Sequence, residues 1–231
     1  MKTIGLLGGM SWESSALYYQ LINERVAMLR GGFNSAKCVM YSVNFQEVET
    51  YQAEGRWEDA GELLADAAAR IRRAGAEIVV LCTNTMHKVA DYIVREVGDT
   101  FIHIAEPTAQ AIHQREVKTI GLLGTRYTME QDFYKGKLAE LGVSVLVPPA
   151  EDRDIVHSII YDELCRGEVK DSSRAEYQRI IRQLQVEGGQ GVILGCTEIG
   201  MLIGQRDVDV PVFDTTQLHA HEAVRIALGA G

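Results

Sequence analysis

The heptapeptide KTIGLLG, at Lys2 to Gly8, recurs unchanged at Lys118 to Gly124, 116 residues further along a chain of 231. Each copy reads as a short buried strand of β-branched and leucine residues that closes on glycine. Each is followed by a polar turn that opens a helix, GMSWESSALYYQLINERV in the first case and TRYTMEQDFYKGKLAEL in the second. Ser11 has the chemistry of an N-cap, and Thr128 with Gln131 three residues on has the spacing of a capping box. A second pair lies downstream. AGAEIVVLCTNTMH from Ala74 and EGGQGVILGCTEIG from Glu187 align without gaps at an offset of 113, matching Gly75 to Gly188, Val79 to Val192 and Leu81 to Leu194. That register sets Cys82 opposite Gly195 and Thr83 opposite Cys196. A weaker third echo relates FIHIAEPT near Phe101 to PVFDTTQ near Pro211.

The amphipathic stretches WEDAGELLADAAARIRRAG and RAEYQRIIRQLQVEGG precede the two downstream strands. Both halves therefore alternate helix and strand, the pattern that builds parallel sheets covered by helices. The expected fold is α/β, with two similar lobes related by internal duplication. Their bounds are placed at 1–98 plus 209–231 for the first lobe and 99–208 for the second. In such folds ligands bind at the carboxyl ends of the strands, and the expected site is the cleft where the lobes meet.

Composition narrows the partners. Lys and Arg number 23 against 32 Asp and Glu, a formal net charge of -9, which disfavours nucleic acid and anionic membrane surfaces. No apolar run approaches membrane-spanning length, and the N-terminus lacks the features of a signal peptide. Four cysteines, Cys38, Cys82, Cys165 and Cys196, are scattered without a CxxC pair, as expected of reduced thiols in a cytoplasmic protein. A small-molecule partner is the expectation.

GLLGGMS lacks the GxGxxG spacing and GLLGTRY lacks the P-loop pattern, so dinucleotide and nucleotide phosphates have no warrant. No HExxH or Cys/His cluster points to a metal, and GxSxG is absent. His219 and His221, two apart on a helix, face different ways and read as packing or surface residues. Cys196 stands out. It ends the strand GVILG, and TEIGML after it resembles a helix start, whose dipole would lower the thiol pKa. Its counterpart Thr83 also ends a strand and enters a helix through Asn84 and Thr85, whereas Cys82 keeps the parity of Val80 and reads as packing. Two matched strand ends suit a reaction that approaches one carbon from opposite sides, such as racemisation at an amino-acid Cα. Hydroxyls beside helix N-termini, on Thr85, Thr125 and Thr197, would steady the enediolate-like intermediate.

Four stretches, GLLGGMSWES, TNTMH from Thr83 to His87, GLLGTRYTM from Gly121 and GCTEIG from Gly195, resemble the cofactor-independent aspartate/glutamate racemase family over essentially the whole chain. The resemblance implies an amino-acid racemase with no cofactor and no metal, and suggests a homodimer. Its two acid/base residues would be Cys196 and, where the family has cysteine in CNTxH, Thr83. It further implies deprotonation of the L enantiomer by Cys196. Substrate contacts are expected from Met10, Ser11, Asn84, Thr85, Thr125, Thr197 and Glu198, with His87 tuning the site or packing beside it. Some aspartate racemases grip substrate carboxylates with Arg and Lys. Here the Lys position is Cys165 and the Arg has no clear counterpart, leaving Gln52 as the expected side-chain contact and Arg126 or Arg166 as substitutes. Two other readings remain at this stage: a one-thiol decarboxylase of malonate-type acids, and an amino-acid-binding protein that has lost turnover.

Overall fold

The computed structural model describes residues 1–229. Two four-stranded sheets carry the chain, each wholly parallel. The first contains β1 (Ile4–Gly8), β2 (Cys38–Ser42), β3 (Ile78–Leu81) and β4 (Phe101–Ile102), connected by α1 (Trp12–Arg30), α2 (Phe45–Ala53), α3 (Trp57–Arg73) and α4 (Ala90–Val97). The chain then passes through α5 (Ala105–Gln114) into the second sheet, made of β5 (Thr119–Gly124), β6 (Ser144–Leu146), β7 (Val192–Gly195) and β8 (Val212–Asp214). Its helices are α6 (Arg126–Glu130), α7 (Asp132–Glu140), α8 (Ala150–Asp162), α9 (Asp171–Val186) and α10 (Ile199–Leu202), and α11 (Thr215–Leu228) closes the fold.

The strand orders are β2-β1-β3-β4 and β6-β5-β7-β8, the same arrangement twice. Pairing registers match residue for residue. Gly5 lies opposite Val79 and Leu7 opposite Leu81 in one sheet; Gly121 lies opposite Val192 and Leu123 opposite Leu194 in the other. These are the offsets of 116 and 113 read from the repeat.

The repeated glycine has a packing reason. A Cβ on Gly5 would overlap Ile71 of α3, and one on Gly121 would meet Leu184 of α9, so each helix rests directly on its central strand. Both helices end on a glycine with positive φ, Gly75 at 98° and Gly188 at 102°, which turns the chain back toward the sheet. In the first sheet, alternate residues feed two cores. Leu7, Val79 and Leu81 pack under Leu64, Ala68 and Ile71 of α3, while Ile4, Leu6, Val80 and Cys82 pack under Tyr18, Ile22 and Val224. Burial on both faces explains why these strands read as unbroken apolar runs.

The two compact units are 1–104 with 216–231, and 105–215. The crossings fall a few residues later than 98/99 and 208/209. The cause is strand pairing: β4 belongs beside β3, and β8 beside β7. Two local expectations also shift. TRYTMEQDFYKGKLAEL breaks into α6 and α7 where Gln131 is extended at ψ 156°, and the cap of α6 is Thr125, not Thr128. Ser11 does cap α1.

Candidate active site

In the second unit, β5 and β7 end side by side, with Gly124 opposite Gly195. Thr125 then caps α6, its Oγ1 accepting from the Thr128 N–H at 3.4 Å. Beyond β7 come Cys196, Thr197 and Glu198. The Cys196 thiol donates to Glu198 Oε2 at 2.9 Å, and the Thr197 hydroxyl donates to the same oxygen at 2.8 Å. Burial first, and the Glu198 carboxylate second, push the Cys196 thiol well above its ordinary pKa. The sign is opposite to the helix-dipole expectation. The cause is burial, to which the Glu198 carboxylate adds, and α10, a single turn of four residues, is too short for a substantial opposing dipole. Cys196 therefore rests as a protonated thiol.

Two residues that the sequence did not single out, Tyr161 and Tyr177, act on this thiol together with Cys165, which stands at the Lys position of the resemblance. Tyr161 of α8 and Tyr177 of α9 are pushed up mainly by burial and next by Cys196, and Cys165 bears on Cys196 in turn. The Tyr177 hydroxyl donates to the Val156 carbonyl at 3.2 Å. Only the buried stripe of α9 gave a hint of Tyr177, and that stripe reads equally as core. Arg126 pairs with Asp154 at 2.7 Å at the surface, and Arg166 is exposed.

In the first unit, β1 and β3 end side by side, and Cys82 N–H donates to the Leu7 carbonyl at 2.9 Å. Ser11 Oγ accepts from Ser14 N–H at 3.3 Å, the counterpart of the Thr125–Thr128 bond. Met10 packs with Val48, Leu81 and Met86. Gln52 is buried and its amide meets Met86 Sδ at 2.9 Å, so it is not an exposed helix glutamine.

Thr83 is held from behind by an imidazole. His87 Nδ1 lies 2.8 Å from the Thr83 carbonyl, and Ile104 N–H donates to His87 Nε2 at 3.2 Å. A backbone N–H can only donate, so Nε2 carries the lone pair and Nδ1 the proton. Burial, then His103 and His219, hold His87 well below its ordinary pKa. His219 is fixed the same way: Nε2–H donates to the Ile102 carbonyl at 2.8 Å, and Nδ1 accepts from the Tyr18 hydroxyl at 2.9 Å. Burial takes its pKa down to about 3. His219 is a fully buried latch, and His221 is half-buried.

The matching registers make Thr83 and Cys196 structural equivalents, with Asn84 equivalent to Thr197 and Thr85 to Glu198. Thr83 and Cys196 are 7% and 9% exposed, whereas Cys82 is wholly enclosed with Val80 and Tyr18 and its thiol is pushed far up by burial. Each unit thus gathers its own share of the expected residues at the carboxyl ends of its strands: Met10, Ser11, Thr83, Asn84 and Thr85 in the first, with Gln52 arriving from α2, and Thr125, Cys196, Thr197 and Glu198 in the second. Among the described residues no group of three or more His, Cys, Asp or Glu side chains could hold a metal ion, and no helix is long and apolar enough to cross a membrane.

A duplicated parallel α/β fold with polar residues at equivalent strand ends is that of the isomerases of the racemase class. The chain belongs to the Asp/Glu/hydantoin racemase family, whose model matches residues 7–223. A Yersinia pestis protein assigned as an Asp/Glu racemase is 52% identical, with TM-score 0.93 over 99% of this chain and 100% of that one. An aspartate racemase homologue from Pyrococcus horikoshii is 36% identical, with TM-score 0.85 over 99% and 100%. Arylmalonate decarboxylase, 14% identical at TM-score 0.55 over 97% and 92%, shares the fold.

Proposed function

We propose that the protein is a cofactor-independent racemase of aspartate, glutamate or a similar small polar amino acid, with Cys196 and Thr83 as an unequal acid/base pair. The observation that carries this reading is the equivalence of the two positions, one holding a thiol beside a carboxylate and the other a hydroxyl. Cys196 removes the Cα proton of the L enantiomer. Thr83, or a water bound to its hydroxyl, returns a proton to the opposite face. A hydroxyl is too weak an acid to provide a resting base at neutral pH, so deprotonation of the D enantiomer is the slow direction. Because the equilibrium between enantiomers is indifferent to the enzyme, the asymmetry surfaces as Cα hydrogen exchange of L substrate that outruns net racemisation.

Asn84, Thr85, Thr125 and Thr197, with the turn at Met10 and Ser11, support the α-carboxylate as it gains enediolate character. Gln52 meets the substrate side chain, and its amide accommodates a carboxylate or a neutral polar group. The four free thiols accord with a reducing, cytoplasmic setting. The test incubates the protein with L- and D-aspartate, glutamate and homoserine in deuterated water, followed by chiral chromatography and mass spectrometry. Deuterium entering L substrate ahead of the D product supports the reading. Binding without exchange, or carbon dioxide released from an arylmalonate without amino-acid exchange, contradicts it.

A further inference from the structure

The Thr83 main chain is fixed from two directions. Its N–H donates to the Leu81 carbonyl at 2.9 Å, and its carbonyl accepts from His87 Nδ1–H at 2.8 Å. In the second unit the equivalent carbonyl, that of Cys196, accepts from the Ile199 main-chain N–H at 3.2 Å, a bond that any residue but proline could make. The first unit uses a buried histidine instead. An imidazole taken out of water is costly unless both nitrogens are bonded, and here both are, since Nε2 accepts from Ile104 N–H at 3.2 Å. The ring has little freedom to turn: the His103 ring meets it edge-on with centroids 4.7 Å apart, Phe101 lies at 5.6 Å and His219 at 6.0 Å. His219 is itself held by the Tyr18 hydroxyl and the Ile102 carbonyl. Every one of these partners of His87 belongs to the first unit.

A threonine hydroxyl stands one bond from Cβ, so it goes only where the backbone puts it, and a displacement of about 1 Å in a reacting group costs about 100-fold in rate. We propose that His87 is the positioning residue of the Thr83 face: by fixing the Thr83 carbonyl it sets where the hydroxyl, or a water bound to it, stands against the substrate Cα. This inference rests on the racemase reading and separates its two faces. Exchange of the Cα hydrogen of L substrate with retention needs only Cys196: sulfur takes the proton, gives it up to solvent and returns a deuteron on the same side. Conversion to the D enantiomer requires delivery from the Thr83 side. His87 therefore governs the share of the enediolate that leaves as D product. It transfers no proton itself, because its one N–H is committed to a main-chain carbonyl.

The test measures two rates on the full chain in deuterated water, with L-aspartate, L-glutamate and L-homoserine: deuterium uptake into substrate recovered as L, and formation of the D enantiomer. In His87→Leu, which fills the space but offers no N–H, the ratio of D formation to L exchange should fall by about tenfold, while L exchange stays within about threefold of wild type. His87→Asn places an amide N–H where Nδ1 stood and should bring the ratio back to within about threefold of wild type. A ratio that falls by less than about threefold in His87→Leu overturns the proposal. A parallel fall of both rates also overturns it, as the mark of a purely structural role, and so does His87→Asn as impaired as His87→Leu. If His87→Leu does not fold, His87→Asn and His87→Gln decide. The glutamine amide reaches the Nε2 position, so His87→Asn should keep the higher ratio, and equal ratios or the reverse order overturn the proposal. Absence of D product from all three substrates in wild type defeats the racemase reading instead, and the proposal falls with it.

Discussion

The ends of β3 and β7 share a pairing register and differ in chemistry. Thr83, Asn84, Thr85 and His87 stand where the second unit has Cys196, Thr197, Glu198 and Gly200. Beneath Thr83 the His87 ring bridges its carbonyl to Ile104. At Gly200 there is no side chain, and a Cβ there would come within 2.8 Å of the Asp214 carboxylate, which would have to move aside. On the proposed reading, one strand end presents a thiol as base and the other a hydroxyl. Duplication preserved the scaffold while the two ends diverged in what they can do with a proton.

That contrast makes graded predictions. The largest concerns the two thiols. Cys196→Ala should lower L-substrate exchange by about 1000-fold with little change in urea midpoint. Cys82→Ala should leave exchange near wild type and cost about 1 kcal/mol of stability through a small core void, measured by urea unfolding. Next come the repeated glycines. Gly5→Ala pushes a methyl into the β-branched Ile71 and also toward Ala76, whereas Gly121→Ala meets the flexible end of Leu184. The expected losses are about 3 and about 1 kcal/mol respectively, and equal losses would contradict the packing argument.

A third prediction concerns pH. His219 is neutral in the fold with its pKa lowered to about 3, so the unfolded chain takes up its proton first. Its contribution is complete above the unfolded value of about 6.5 and is lost as pH falls toward the folded value, at up to about 1.4 kcal/mol per pH unit. His87 adds in the same direction. Unfolding free energy should therefore decline between pH 7 and pH 4, and His219→Gln should show a shallower decline by up to one proton. The smallest expected effect is a gain: Thr83→Cys should raise exchange of D substrate by about tenfold, measured by deuterium uptake.

The architecture and the pairing of Thr83 with Cys196 were readable from the sequence because strands buried on both faces tolerate few substitutions, and the repeat preserved their register through to the last residue of each strand. The demotion of Cys82 followed from its register opposite Gly195 and from its parity with Val80. Other features lacked such a signal. His87 and His219 bond to main-chain groups of Ile104 and Ile102, which any residue at those positions would supply. The raised pKa of Cys196 turns first on its burial and next on the direction of the Glu198 side chain, neither of which is encoded in the spacing of GCTEIG. The unit boundaries shifted because β4 and β8 are only two and three residues long, too short for periodicity to assign them to a sheet.

The unequal pair itself is tested most directly by the initial rates at which L and D enantiomers of one substrate lose their Cα hydrogen in deuterated water, compared in wild type and Thr83→Cys. The account predicts a large L-over-D ratio in wild type that contracts when the thiol is introduced at position 83. Equal rates for the two enantiomers in wild type would contradict it.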